Sequence, residues 1–538
     1  MAVTEITADY CIAGGGIAGL LVASRLAATG KRIALLEQGP RYSEQDRVDR
    51  LIESQQTLRD GADYNDDLDA AARTPHTTAD PKDGAVDWSV GRLFGLGGTA
   101  LHWEGESTRP RAEDLRVKTL YGYSRDWPIT YSELEPWLFR AEHELGVAGA
   151  GDNPYTSPRS GPFPMPAHPF SYFDREFFRP GLERLGMVGH SLPHAVNSVP
   201  FRNRSTCRAC RICVFCPTGA RYSPDRVLGP VLDASPNVTI VHDVSLRRLE
   251  TSAGGERIVA AHAVDVRERT PVVVRAKGFV VAMGGVGTPR ALLLSADEGT
   301  HRHGLGNMGG QLGRGFCGHA GPSFNLVFDR RVGGRLGFTT MGTDHFLEHV
   351  DRRKQPPFMV AAAPSLDPVT IGHRALEHAL RNDTISLDAV RAGVTRMATL
   401  WTLGELEPSG TLELDADHLD DFGSPVAKIT KKWTARDREG FALQTQFVTR
   451  LADSMGATFE PESEPVPVRR RDNHPSGTTA MATSPDEGVC DSNLKVFGLE
   501  NLHLASSSVF PHLAAPPPTL TIAALSLRLA AHLSGEAL

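Results

Sequence analysis

Between residues 9 and 37 the apolar positions change rhythm: a short apolar run (DYCIA), a glycine turn (GGGIAG), a stretch with helical spacing (LLVASRLAATG) and a second apolar run (RIALLE). Short continuous apolar runs read as buried strands and the 3.6-residue period as a helix, so the segment predicts a βαβ unit. Further strand-like runs at 238–246 (VTIVHDVSL), 271–283 (PVVVRAKGFVVAM) and 501–506 (NLHLAS) lie far apart in the chain. They predict an α/β domain assembled from separated segments. Residues 150–200, rich in Pro, Gly and Ser, read as loop, whereas 320–465 mixes short strands with a polar helix near 434–456 and is the expected substrate domain. There is no internal repeat and no low-complexity tract.

The glycine turn sharpens the first domain. Gly14, Gly16 and Gly19 follow a strand and open a helix, and Glu37 ends the next strand eighteen residues after Gly19. This is a dinucleotide fingerprint: Gly14 allows the tight turn, Gly16 lets backbone approach a pyrophosphate at the helix N-terminus, Gly19 permits close packing, and Glu37 can accept a ribose hydroxyl. The fingerprint alone does not separate FAD from NAD. At 538 residues, 40% apolar and 22% charged, the chain has room for two or three domains, and its net charge of -7 provides no basic footprint for nucleic acid. No apolar run reaches the roughly 20 residues of a membrane span, because the most apolar tail, 519–533, carries Arg528 and His532. The N-terminus lacks the features of a secretory signal, and seven cysteines, four of them clustered, do not form a disulfide framework, so a reducing, cytoplasmic setting is expected.

GRLFGLGGTALHWEG (91–105), DWPITYSELEPWLFRAEHELGV (126–147), GGVGTPRALLLSA (284–296), LGRGFCGH (312–319) and HPSGTTAMA (474–482) resemble successive landmarks of the glucose-methanol-choline (GMC) flavoprotein oxidoreductases, in the family's order. The resemblance implies a tightly held FAD and an α/β fold: a Rossmann-like FAD-binding domain interrupted by a substrate domain with an antiparallel sheet backed by helices. The expected parts are 1–165, 221–320 and 466–538 for the FAD-binding domain, 166–220 for a cysteine-rich insertion that goes with the substrate domain, and 321–465 for the substrate domain. Carried over by residue, Gly97, Gly98 and Thr99 resemble the loop following the flavin, and Val244 the strand position whose backbone meets the adenine. His102 matches the position at which pyranose oxidases join a histidine covalently to flavin, although related members carry a histidine there without the bond.

Oxidising an alcohol at a flavin requires a group that takes the hydroxyl proton while hydride leaves for N5, and histidine titrates in the useful range. His474, in the segment that resembles the family's active site, is the candidate base. The family sets a second histidine or asparagine opposite, just before a Thr-Leu-Thr-Ile run; here the run is APPPTLTIAAL and the matching residue is Pro517. Proline offers neither a polar side chain nor an N–H. His474 therefore works without that partner, or His512 or the substrate-domain loops supply it, or the alcohol chemistry is altered. Thr519 begins a helical run behind two prolines, and its positive end is expected to face the flavin.

TCRACRICVFCPTGA (206–220) spaces Cys207, Cys210, Cys213 and Cys216 three apart. A zinc site joins two CxxC pairs across a longer stretch or includes histidine, whereas CxxCxxC followed by CP is close to the bacterial ferredoxin run. The pattern favours an iron–sulfur cluster, 3Fe-4S or 4Fe-4S, over zinc or free thiols. The stretch also resembles the cysteine-rich insertion of bacterial FAD-dependent glucose and fructose dehydrogenases, with a last interval one residue shorter. Such a cluster turns a two-electron flavin into a one-electron donor for a cytochrome or ferredoxin. The expectation is a dehydrogenase oxidising a sugar or polyol hydroxyl, and the resemblance to those dehydrogenases implies a small companion subunit that carries an export signal. The alternatives are an oxygen-using oxidase with no redox cluster, or a flavin-binding protein with altered chemistry.

Overall fold

The computed structural model describes residues 3–57, 76–78, 89–90, 92–210, 212–213, 216–333, 337–364, 395–459, 471–472 and 474–536. The βαβ opening forms strand Thr4–Ala13, helix Ile17–Ala28 and strand Ile33–Leu36. The last is buried at every position, as a strand covered on both faces must be. Thr4–Ala13 sits between Ile33–Leu36 and Pro271–Val281, parallel to both, and Val238–Val241 adds beyond Ile33–Leu36. The apolar run at 238–246 is not one strand. Asp243, at φ 56, breaks it, and Val244–Thr251 leaves as one strand of an antiparallel meander with Ile258–Asp265 and the first half of Pro271–Val281. The second half of Pro271–Val281 pairs instead with Leu502–Leu504, which brings the C-terminal segment into the same sheet.

Helix Thr519–Ser534 closes this layer by packing on Ile17–Ala28 and on Tyr131–Leu145. The contact is apolar: Leu20, Leu21 and Leu134 share one core with Leu520 and Leu527. Each such side chain, fully buried, contributes about 1.5–3 kcal/mol of transfer free energy.

The second sheet is antiparallel throughout, in the order Ala457–Phe459, Ser323–Phe328, Met397–Gly404, Phe358–Pro364, Met341–Thr343, His190–Ser191. Alternation decides its two faces. Phe324, Leu326, Phe358, Val360 and Leu400 pack on Phe447, Val448 and Leu451 of helix Ala435–Met455. That helix starts at Thr434, whose hydroxyl accepts from Asp437 N while the Asp437 carboxylate accepts from Thr434 N, a capping box. The other face carries Met359, Ala361, Trp401 and Leu403, which pack with Ala515 of the C-terminal segment. A further four-stranded sheet, Arg314–Phe316, Gly410–Leu419, Pro425–Thr430 and His76–Thr78, was not anticipated from the sequence, because the neighbouring strands Gly410–Leu419 and Pro425–Thr430 are completed by two three-residue strands from distant stretches. Among the described residues no helix is long and apolar enough to cross a membrane.

Candidate active site

The glycine turn and the 95–99 loop abut. Gly97 N donates to Gly15 O at 2.8 Å, and a Cβ on Gly98 would stand 3.0 Å from Gly16 Cα. Gly14 has φ 106, and a Cβ there would meet Ala282 O at 2.4 Å; on Gly19 it would meet Gly14 O at 1.9 Å. Neither position admits another residue without displacing backbone. Gly16 is different: a Cβ there would meet only Gly98 Cα, at 4.0 Å, so the seam beside it is open. Gly14, Gly16, Gly98 and Thr99 keep accessible surface along that seam. Helix Ile17–Ala28 begins there with no side-chain cap, so its first N–H groups remain for an anion.

Glu37 is buried beneath the turn and accepts backbone N–H groups from Gly15 (2.7 Å), Gly39 (2.9 Å) and Gly95 (3.1 Å). It thus ties the two glycine loops together. Burial pushes its carboxyl up to about 7, against the downward pull of those N–H groups. Val244 N donates to Glu37 O at 2.8 Å, which puts the start of the meander beside the expected nucleotide. An open seam, an uncapped helix N-terminus and an acid at the strand end fit a dinucleotide such as FAD.

His102 is buried just past the turn Gly98–Leu101, with its N–H on Thr99 O at 3.3 Å. The His102 loop is joined to the cysteine loop by Arg221, a residue that sequence reasoning missed. Its buried guanidinium donates to Leu101 O (2.7 Å) and Trp103 O, and its backbone N–H donates to Cys216 Sγ at 3.2 Å. Trp103 Nε1 adds a bond to Tyr222 O at 2.9 Å. Cys216 is buried at φ 37, Cys207 and Cys213 are half-buried, and Cys210 is exposed. Burial raises the thiol pKa of Cys207 and Cys213, and neighbouring thiols add to it. Ala209 N donates to Cys207 Sγ at 3.4 Å. Among the described residues no three His, Cys, Asp or Glu side chains are arranged to hold a single metal ion. The clustered thiols, the two N–H groups on sulfur and the nearby guanidinium suit a multi-iron cluster, in which iron and sulfide separate the cysteine sulfurs more widely than one ion does.

His474 is surrounded by protein yet retains accessible surface, the condition of a group lining a recess. Its Nδ1 lies 2.8 Å from Nδ1 of His319, with the rings at 82°, and His319 Nε2 lies 2.7 Å from Ala514 O. Burial holds the pKa of His474 well below the ordinary value, with His319 adding to the effect, and pushes that of His319 down to about 4. Pro517 is buried, Pro518 is the N-cap of helix Thr519–Ser534, and no side chain caps that helix. Thr519 is its first residue and is half-buried.

His512, one candidate for a second contact, is committed elsewhere. It is buried with Nδ1 3.1 Å from Ser124 Oγ and Nε2 3.3 Å from Glu405 Oε1, and Glu405 also accepts from Tyr123 OH at 2.9 Å. Burial works against the charge on Glu405, but His512, Arg352 and Tyr123 together hold its pKa below the usual carboxylate range. Arg352 is itself paired with Asp114 at 2.7 Å. His319 lies in LGRGFCGH, seven residues past the start of a motif that the sequence marked, but nothing in the spacing pointed to its contact with a residue 155 positions away.

GMC oxidoreductase models match residues 8–321 (N-terminal part) and 407–526 (C-terminal part). The chain is 29% identical to the fructose dehydrogenase large subunit of Gluconobacter japonicus, covering 98% of this chain and 97% of that protein. It is 27% identical to 6'''-hydroxyparomomycin C oxidase of Streptomyces lividus, over 98% and 92%. The crystal structure of pyridoxine 4-oxidase from Mesorbium loti shares the fold at a TM-score of 0.66 and 18% identity, over 98% and 100%. With the cradle, the histidine pair and both halves of the family accounted for, the chain belongs to the GMC oxidoreductases, FAD-dependent enzymes acting on alcohol groups.

Proposed function

We propose that this enzyme is a dehydrogenase that oxidises a hydroxyl group of a sugar or polyol and passes the electrons to a one-electron acceptor such as a cytochrome or ferredoxin. Bound FAD would supply the acceptor for the hydride of the carbinol carbon. His474 removes the hydroxyl proton, the glycine seam and the N-terminus of helix Ile17–Ala28 hold the pyrophosphate, and Val244 and Glu37 meet the adenosine end. His102 would line the flavin site, and the helix that begins at Thr519 would turn its positive end toward it. Cys207, Cys210, Cys213 and Cys216 would hold an iron–sulfur cluster that supplies single-electron transfer.

The observation that carries this reading is Arg221, which spans from Cys216 to the carbonyls flanking His102 and so keeps the cysteine loop against the flavin loop. The sugar class leans on the fructose dehydrogenase large subunit and the gluconate 2-dehydrogenase flavoprotein of Pantoea cypripedii among the relatives. The words "large subunit" also motivate a companion subunit, able to carry an export signal that would take this chain out of the cytoplasm. A second reading, an oxygen-using oxidase, is favoured by the similarity to 6'''-hydroxyparomomycin C oxidase.

Anaerobic purification, with iron, acid-labile sulfide and flavin measured per chain and followed by EPR, tests the proposal. Three or four irons with matching sulfide support the relay; zinc or no iron sinks it. Peroxide formed in step with substrate consumption selects the oxidase.

A further inference from the structure

Two imidazole nitrogens 2.8 Å apart need one hydrogen between them, so one ring donates and the other accepts. The geometry says which. His319 Nε2 is 2.7 Å from Ala514 O, and a carbonyl oxygen only accepts, so the hydrogen of His319 is on Nε2. A neutral ring carries one N–H; Nδ1 of His319 is therefore the acceptor, and the hydrogen in the contact belongs to Nδ1 of His474. The lone pair of neutral His474 then resides on Nε2.

We infer that His319 is a positioning residue that locks His474 in the tautomer whose Nε2 is basic, the nitrogen that takes the substrate's hydroxyl proton. The inference rests on the reading of His474 as the base. Which imidazole nitrogen is protonated is set by the hydrogen bond the other makes, and free histidine prefers the opposite tautomer. His319 serves because it is neutral: the ring is buried, and Glu405 and His512, which face it, act only through space with opposing effects. The alcohol O–H bond breaks as an N–H bond forms at Nε2, while the carbinol C–H bond breaks and its hydride, with two electrons, goes to the flavin. The imidazolium formed keeps its Nδ1–H on His319, so the ring need not turn between steps.

Nitrogen-15 NMR of the flavin-loaded, histidine-labelled chain tests this directly, with the His474 resonance assigned by its loss in His474→Asn. The expected wild-type signal has an unprotonated Nε2. His319→Leu shifts the population toward protonated Nε2, and His319→Gln, whose amide can accept from His474 and donate to Ala514, restores it. In anaerobic stopped-flow with D-fructose, D-sorbitol, D-glucose, D-gluconate and 2-methyl-1,2-propanediol, flavin bleaching by whichever acts falls about 10–100-fold in His319→Leu and recovers to within a few-fold in His319→Gln. A protonated Nε2 in the wild type, or equal losses in the Leu and Gln variants, overturns the inference. Should His319→Leu fail to fold, the wild-type spectrum and the Gln variant decide. If His474→Asn bleaches as fast as wild type, the base reading fails instead, and the spectrum still reports whether His319 sets the tautomer.

Discussion

The nucleotide cradle and the reaction centre are built from opposite materials. The cradle is backbone: Gly14, Gly16 and Gly19 lie within one turn and the start of one helix, the 95–99 loop docks on them, and Glu37 binds both through N–H groups. The centre is made of side chains, His319, Glu405, His474 and His512, drawn from segments far apart in the chain, His319 and His474 alone being 155 positions apart. Backbone shape at a glycine turn follows from local sterics. A buried histidine pair exists only once distant segments have been stacked, so it leaves no local signature.

The contrast can be broken from the side of the chemistry first. His474→Asn should slow substrate-driven flavin bleaching by about 10²–10⁴-fold, the ordinary value of a general base, while flavin content per chain stays at the wild-type level. Loss of flavin in that variant would mean that the two regions are not separable.

The cysteine loop tests the join between them. In Cys216→Ser, iron per chain and turnover with ferricyanide or cytochrome c should fall about 10–100-fold, whereas bleaching by substrate under anaerobic conditions stays within a few-fold. Equal loss of both activities would show that the loop is a scaffold for the flavin site and not an exit path.

A change of one methyl group attacks the cradle alone. Gly19→Ala forces a Cβ into Gly14 O and should cost about 1–3 kcal/mol or more in stability, read as a lowered unfolding midpoint and weaker flavin retention, with the bleaching rate of the flavin-loaded fraction unchanged.

The smallest effect is a difference in sign. Glu37 has its pKa raised to about 7, so the folded flavin-free chain holds a proton that the unfolded chain releases above the ordinary carboxylate value. Its stabilising contribution is complete below about 4.5 and is lost as pH rises toward 7. His319, pushed down to about 4, does the reverse: between the usual 6.5 and 4 the unfolded chain binds the extra proton, so stability is lost as pH falls. Each slope is at most about 1.4 kcal/mol per pH unit. Melting curves of the flavin-free chain from pH 4.5 to 7.5 should show Glu37→Gln removing the first slope and His319→Gln the second; identical pH profiles for both variants would refute the assignment.

Legibility in the sequence follows the same line. The βαβ opening, the roles open to Gly14 and Gly19 and the helix beginning at Thr519 were readable, because a glycine turn, a helical period and a proline pair act over a few residues. The split of 238–246 into two strands was not, since the left-handed Asp243 interrupts an otherwise continuous apolar run. No motif in the sequence singles out Arg221, which follows CPTGA, and only folding brought its guanidinium to the Leu101 and Trp103 carbonyls.

By itself the sequence determined the chemistry available: a dinucleotide turn, a histidine in the HPSGTTAMA segment, four thiols at regular intervals, and a proline where a polar partner was expected. Which nitrogen of that histidine is basic, where His512 goes and what the cysteine loop leans on were decided by tertiary structure. The reason is physical: residue types and short-range sterics are written locally, whereas the direction of a hydrogen bond depends on which acceptor the fold brings to the other end of the donor ring, here Ala514 O behind His319.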